Sequence, residues 1–347
     1  MVVTGVMKKN IAATLFLCCL LVSGRVYSQA PRYLYDSLYL ADPSAHVFNG
    51  KIYIYPSHDI KTNKTGLNGD HFDMKDFHVL SMDNINEEVR DHGVALSIKD
   101  VPWGGRQLWA PDCVSKNGKY YLYFPLKDKN DIFKIGVAIS DKPEGPFKAE
   151  ANPMMGSYSI DPAVYADTDG EYYMYWGGLS GGQLQHYRDN KVIECGTEPD
   201  KDSIALCPKV AKLSTDMLQF AEAPRDVILL DENGNPLKTR DKQRRFFEGA
   251  WVHKYKGKYY FSYSTGTTHQ LCYAIGDNPY GPFTYKGIIL TPVAGWTTHL
   301  SIIEFNKKWY LFYHDSKQSG KNSLRNLKIR ELKYNPDGTI QTMNGLE

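Results

Sequence analysis

Five segments of this chain share one shape, and that repetition constrains the fold more than anything else in it. They are NGKIYIYP from Asn49, NGKYYLYF from Asn117, DGEYYMYW from Asp169, KGKYYFSY from Lys256 and NKKWYLFY from Asn306. Each opens on a turn signal and continues as a Tyr-rich strand, the pattern of a β-hairpin. An apolar strand precedes each turn: ADPSAHVF, APDCVSK, IDPAVYAD, EGAWVHKY and THLSIIEF. Two further segments, KIGVAISDKPEGPF and LCYAIGDNPYGPF, end in the same Asp-x-Pro-x-Gly-Pro-Phe turn, which delivers a Phe toward the core. No long amphipathic helix pattern interrupts them. A repeated β-unit of this size is the signature of radial architecture. The sequence therefore predicts an all-β, five-bladed β-propeller in a single domain over residues 29–347. A pair of β-sandwiches is the alternative. The long gaps after the first and third hairpins predict insertions at Lys61–Asp76 and Cys195–Arg245. The last strand pattern, Asn322–Tyr334, runs almost to the C-terminus. The short tail is expected to seal the ring against Arg32–Tyr39.

The chain has 347 residues and a formal net charge of +2. Charged residues are 23% and hydrophobic ones 42%, an ordinary globular balance. It lacks the basic stripe of a nucleic-acid binder. Aromatics reach 13%, with 25 Tyr and 6 Trp, which suits both β-structure and a carbohydrate surface.

Residues 1–28 read as a signal peptide. Lys8 and Lys9 supply the positive start, Ile11–Val22 the apolar run, and Val26 and Ser28 a cleavage site after Ser28. The run is too short to span a bilayer comfortably. Export to the periplasm or the medium is the expectation. A lipid anchor at Cys18 or Cys19 is disfavoured, because Leu17 stands where a small residue is needed. No later run is long enough to cross a membrane. Cys113, Cys195, Cys207 and Cys272 remain after cleavage, and a Cys195–Cys207 disulfide suits an exported protein. His58, His71, His78, His92 and His269 show no metal-ligand spacing.

In a propeller the innermost strands line the axis, and equivalent positions converge. Seven or eight residues before each turn stand Asp42, Asp161, Glu248 and His299 in the first, third, fourth and fifth units. Asp112 stands five before the turn in the second. Buried charges are costly unless paired or used. Three matched carboxyls in apolar settings therefore predict a working site. Two carboxyls across a pocket are the equipment of glycoside hydrolysis. Glu248, flanked by Phe246, Phe247 and Trp251, suits the general acid, since apolar surroundings raise a carboxyl pKa. Asp42, near Ser44 and His46, suits the general base. Asp161 is left as the group that modulates the acid's pKa.

ADPSAHVF, SIDPAVYAD and FFEGAWVHKY resemble the three signature regions of glycoside hydrolase family 43. With the hairpins they cover nearly all of the mature chain. The resemblance implies a five-bladed propeller that inverts the anomeric centre, with Asp42 as base, Asp161 as pKa modulator and Glu248 as acid. His299 in GWTTHLSI is similar to a central histidine that approaches a bound calcium or its waters in some members. It implies calcium at the propeller axis as an optional ion, with no cofactor required. Arg325 in SLRNLKIREL is similar to a late arginine that contacts the acids or the sugar.

Trp109 and Phe247 are further candidates for substrate contact. Trp103, Trp176, Trp251 and Trp296 are platform candidates of lower rank. Arg106 and Gln107 are candidates to face the pocket, while His71 reads as exposed loop. The first insertion would close one end of a groove, favouring exo action on an oligo- or polysaccharide. The leading expectation is a β-xylosidase, with α-L-arabinofuranosidase close behind and endo-arabinanase third. A glycan-binding propeller without catalysis stays open, as does a retaining sucrose- or fructan-acting hydrolase.

Overall fold

The computed structural model of the protein describes residues 1–3, 5, 30–64, 69–188, 191–193, 196–296 and 298–347. The signal-peptide reading, with Cys18 and Cys19, falls outside the described residues apart from the first few. So does Cys195. The thiol of Cys207 donates to the Ala205 carbonyl at 3.4 Å.

The repeats fold as five sheets arranged as a propeller, antiparallel but for one strand added to blade four. Blade one runs Tyr39–Phe48, Lys51–Asp59, Asp76–Met82 and Arg90–Ser97 from axis to rim. Blade two carries Gly104–Leu108 and Asp112–Lys116 end to end on the inner edge of Lys119–Asp128. Phe133–Ser140 and Lys148–Ala149 lie outside them. Blade three is Ala163–Ala166, Tyr172–Trp176, Lys209–Lys212 and Arg225–Asp226. Blade four is Glu248–Tyr255, Lys258–Ser264, Leu271–Gly276 and Phe283–Leu290. Blade five is Leu300–Phe305, Lys308–Asp315 and Asn326–Leu332. Among the described residues the helical turns are short 3₁₀ segments such as Ile98–Asp100.

The turn signals explain the hairpins. Asn49-Gly50, Asn117-Gly118, Lys256-Gly257 and Asn306-Lys307 all have both φ values positive. Each links directly paired strand ends, as in Phe48 with Lys51 and Phe305 with Lys308. That is the left-handed two-residue turn whose twist matches the strands. The two Gly-Pro-Phe turns bury Phe147 and Phe283 as expected.

Apolar faces meet between blades, so the core is a set of inter-blade layers. Phe48, Tyr55, Leu122 and Phe124 fill the space between blades one and two. Tyr175, Val210, Phe261 and Phe283 fill that between three and four. The ring closes differently from expectation. Arg32–Tyr33 adds a fourth, outermost strand to blade five, pairing Arg32 with Ile329. The C-terminal tail instead lies beside blade four, where Met343 bridges Leu290. The second insertion also needs correction. Part of Cys195–Arg245 is blade three's own outer half, Lys209–Lys212 and Arg225–Asp226, and Leu229–Leu230 extends blade four in parallel.

Candidate active site

Two of the three acids stand where a strand breaks register. The pairing of Tyr39–Phe48 with Lys51–Asp59 shifts between Ala41 and Ser44. Asp42 lies in that bulge with φ 49°. The pairing of Glu248–Tyr255 with its neighbour shifts between Glu248 and Trp251. A bulge leaves a residue unpaired and re-aims its side chain. Asp161, with φ 58°, sits just before Ala163–Ala166. Aspartate tolerates this left-handed conformation better than most side chains. At Gly249 (φ 71°) an added Cβ would meet the His299 ring at 3.1 Å, so glycine is needed beside the acid.

The three carboxyls open into one cavity of about 410 Å³. All five blades contribute to its wall. Asp42 comes from blade one, Trp109 from blade two, Ile160 and Asp161 from blade three, Phe247 and Glu248 from blade four, and Trp296, His299, Asn322 and Arg325 from blade five. The first insertion adds Gly69, His71, Phe72 and Met74. It is a packed wall. Phe72 and Met74 share a small core with Trp109, Phe133 and Ile160. Trp109 Nε1 donates to the Phe72 carbonyl at 2.8 Å, and Gln107 Nε2 to the Gly69 carbonyl at 2.9 Å. Arg106 pairs with Asp70 at 2.6 Å. Arg106 and Gln107 therefore pin the insertion rather than line the cavity, and His71 lines it rather than standing in an exposed loop.

Asp42 is 7% exposed. Burial alone would raise its carboxyl. The Arg325 guanidinium leads the interactions that outweigh this and hold it down to about 2. Arg325 Nη1 donates to Asp42 Oδ1 at 3.0 Å, and the Asp42 amide donates to His314 Nδ1 at 3.0 Å. Asp161 lies at the other extreme. Burial, then the charges of Glu248 and Asp42, push it well above the carboxylate range, although the Gly249 amide donates to its Oδ2 at 3.0 Å. The pocket thus holds one carboxyl that Arg325 keeps ionised and, in Asp161, one that burial and the neighbouring Glu248 charge hold protonated to higher pH.

The implied calcium can be tested on His299. Burial favours its neutral imidazole by lowering its pKa, and among the described residues neither ring nitrogen has a hydrogen-bond partner. Its Nε2 is 3.7 Å from Asp161 Oδ2. A neutral imidazole among carboxylates fits water or a hydrated cation. As the one nitrogen donor for a hard, oxygen-seeking ion, it would leave calcium keeping its waters.

The family model described as glycosyl hydrolases family 43 matches residues 37–340. The chain belongs to glycoside hydrolase family 43. Among this family's members, a xylosidase/arabinosidase of Bacteroides ovatus is 63% identical over 90% of this chain and 98% of its own. The solved RS223 β-xylosidase is 63% identical, superposes with a TM-score of 0.90 and covers 92% of this chain and 99% of its own. A family 43 β-xylosidase/α-arabinofuranosidase from a compost microbial metagenome, solved with xylotriose in a calcium-free form, is 59% identical with a TM-score of 0.89. That match covers 91% of this chain and 99% of the other. The protein is a glycosidase of this family.

Within the family 43 pocket, Trp109, Phe247, His299 and Arg325, the sequence's candidates for substrate contact, all line the wall. Trp296 does too, at 43% exposure. Trp103, Trp176 and Trp251 do not. Trp103 stacks on Phe124, Trp176 stacks on Phe220, and Trp251 donates to the Ile302 carbonyl at 3.0 Å. Asp112 is buried outside the cavity. It accepts from the Ser44 hydroxyl, from His46 Nε2 at 2.6 Å and from the Val164 amide at 2.5 Å, fastening three blades together. Sequence reasoning missed Asp59. Its carboxylate accepts from Arg325 Nε and Nη2 at 2.8 Å and from the Arg325 amide at 2.9 Å. The signal available was an acid ending an apolar strand, which on its own is indistinguishable from a turn.

Proposed function

We propose that the protein is an exo-acting, inverting β-xylosidase that releases terminal xylose from plant-type oligosaccharides. α-L-Arabinofuranosidase activity is the second reading, favoured by the paired names of its relatives. The observation that carries the proposal is the division of labour among the three carboxyls of one walled cavity. Asp42, held ionised by Arg325, is the general base that takes a proton from water. Glu248 is the general acid that protonates the leaving oxygen. Asp161 opposes its ionisation, so a proton stays within the pair at neutral pH. The Gly249 amide fixes Asp161, and Gly249 directly follows Glu248, so orientation and charge are coupled. The packed insertion supports exo action by closing one side of the cavity. Trp109, Phe247, His299 and Arg325 would contact the sugar. Where calcium is bound, His299 and surrounding waters would hold it, and it would supply positive field beside the carboxylates.

Hydrolysis of nitrophenyl β-D-xyloside and nitrophenyl α-L-arabinofuranoside by wild type, Glu248→Gln and Asp42→Asn tests this reading. Turnover of the xyloside that disappears with Asp42 supports it. An α-xylose first product by NMR supports inversion, and a β-xylose product sinks it in favour of a retaining mechanism. Folded protein that turns over neither substrate yet binds xylotriose equally well as Glu248→Gln would mark a glycan-binding propeller. Long internal fragments from a polymer would mark endo action.

Export follows from the N-terminal pattern in the same reading. The mature chain, secreted or periplasmic and without a lipid anchor, would begin at Gln29, which intact mass of the exported protein reads directly. Among the described residues no helix is long and apolar enough to cross a membrane.

A further inference from the structure

The foot of the first insertion carries a second cluster of chemistry, outside the catalytic cavity. The insertion leaves blade one after Asp59 and returns at Asp76. His58 stands at its departure, and Asp76 and His78 at its return. His58 Nδ1 lies 2.6 Å from Asp76 Oδ1. The rings of His58 and His78 meet edge to face with centroids 4.9 Å apart. One nitrogen from each ring and one Asp76 oxygen lie within 4.8 Å of one another. Their side chains are partly exposed, at 15%, 26% and 13% for His58, Asp76 and His78, so an ion can reach them. The His78 ring is already oriented: its Nδ1 lies 3.0 Å from both oxygens of Asp91. A carboxylate on one imidazole nitrogen fixes the tautomer and makes the other nitrogen a better ligand, the arrangement found behind metal-binding histidines. The linear sequence hides all of this, because the insertion separates the two histidines.

We propose that His58, Asp76 and His78 form a site for a borderline divalent transition ion, zinc in the first place, that clasps the two ends of the insertion. Two imidazoles and a carboxylate suit Zn²⁺, Co²⁺ or Ni²⁺ and are a poor set for Ca²⁺. Three protein ligands leave a fourth position for water. Ligand bonds of about 2.0–2.1 Å in a tetrahedron place donor atoms about 3.3 Å apart. His58 Nδ1 and Asp76 Oδ1 would open from 2.6 Å while donors as far as 4.8 Å apart close in, within the reach of partly exposed side-chain rotations. The ion would hold together the strand ends that carry Gly69, His71, Phe72 and Met74 into the cavity wall. Its role is to stiffen that wall, and it takes no part in bond cleavage.

Titration of metal-stripped protein with Co²⁺, followed by visible absorption, and with Zn²⁺, followed by calorimetry, tests the site. The expected result is one ion bound at this cluster. Binding should weaken at least tenfold in His78→Gln and vanish in His58→Gln/His78→Gln, while both variants keep turning over the xyloside. An ion held by His299 would persist in the double variant and so be told apart. A second readout is tryptic cleavage after Lys61 or Lys64. If Zn²⁺ binds only the closed insertion, Zn²⁺ at ten times its Kd should slow that cleavage about tenfold in wild type and not in the double variant. Absence of Co²⁺ and Zn²⁺ binding below millimolar concentration would overturn the proposal. So would binding that is unchanged in the double variant.

Discussion

Arg325 grips Asp42 with both terminal nitrogens, Nη1 at 3.0 Å from Oδ1 and Nη2 at 3.3 Å from Oδ2. A planar guanidinium matches a carboxylate in this two-pronged way, and lysine cannot reproduce it. The same guanidinium lies over the Phe72 ring at 4.8 Å, so the insertion also helps to hold it. Arg325 is the main reason that the buried Asp42 stays ionised. Arg325→Met should therefore raise the Asp42 pKa by roughly one to three units. The base must be ionised to act, so activity is lost on the acid side of its pKa. The acid limb of kcat/KM against pH should move upward in the variant. An acid limb unchanged from wild type would mean that Arg325 serves only to bind sugar.

Asp59 is buried behind Arg325, outside the cavity wall, and acts through it. Burial, with the charge of Asp42 behind it, pushes its carboxyl above the ordinary value, while three bonds from Arg325 pull it back. Asp59→Asn keeps the shape and removes the charge. Because the folded pKa is raised even with Arg325 in place, the native state carries this charge at a cost at pH 7. Asp59→Asn should therefore leave stability in urea unfolding at pH 7 unchanged or higher, and a loss would show that the ion pair outweighs the burial of the charge. The acid limb of the rate profile should move down rather than up, since Arg325 is then shared with no second carboxylate. An upward shift would show that Asp59 positions Arg325 more than it competes for it.

Asp161 sets stability against activity. Its folded pKa is raised, so between its unfolded value and the folded one the native state binds the extra proton. Stability from this group then falls as pH rises through that window. Asp161→Asn removes the titration and keeps an acceptor for the Gly249 amide. The variant should melt higher than wild type at pH 7, and the difference should shrink as pH falls toward 4. Its turnover should fall, because Glu248 loses the neighbouring carboxyl that sets its proton affinity. Scanning calorimetry at several pH values decides the first point. A variant less stable at pH 7 would place Asp161 among the structural anchors of blade three.

The difference between what could and could not be read from the sequence is physical. Asp42, Asp161 and Glu248 were legible because each precedes a repeated hairpin by a similar interval, and a radial fold turns equal phase into one place. Asp59 was not, because its partner Arg325 is brought to it only by ring closure. Arg32–Tyr33 is too short to carry a periodicity, so the sequence pairs the Arg32–Tyr39 region with the tail, whereas its partner is Asn326–Leu332 of blade five. Lys209–Lys212 and Arg225–Asp226 are short and rich in charge, and they read as loop until paired. Asp112 obeyed the repeat loosely, five residues before its turn instead of seven or eight. The structure turns that offset into a different job, the fastening of three blades. Among the tryptophans composition could not separate platform from core, since both bury large rings against β-strands.

Trp296 is the aromatic group that can still meet a second sugar ring. It is 43% exposed at the cavity wall, with its ring edge-on to Phe247 at 6.0 Å and to one side of His269 at 5.5 Å. Phe247, by contrast, is buried and borders the acid directly. Trp296 touches none of the three carboxyls through a hydrogen bond, so its contribution should be the same in ground and transition states. Uniform binding of that kind appears in KM and leaves kcat alone. Aromatic contacts contribute about 0.5–1.5 kcal/mol, or roughly 2- to 12-fold. Trp296→Ala should therefore raise KM for xylotriose by that factor with kcat unchanged. Calorimetric binding of xylotriose to the inactive Asp42→Asn background should weaken by the same factor when Trp296→Ala is added. A fall in kcat without a change in KM would instead assign Trp296 to closing the pocket around the transition state.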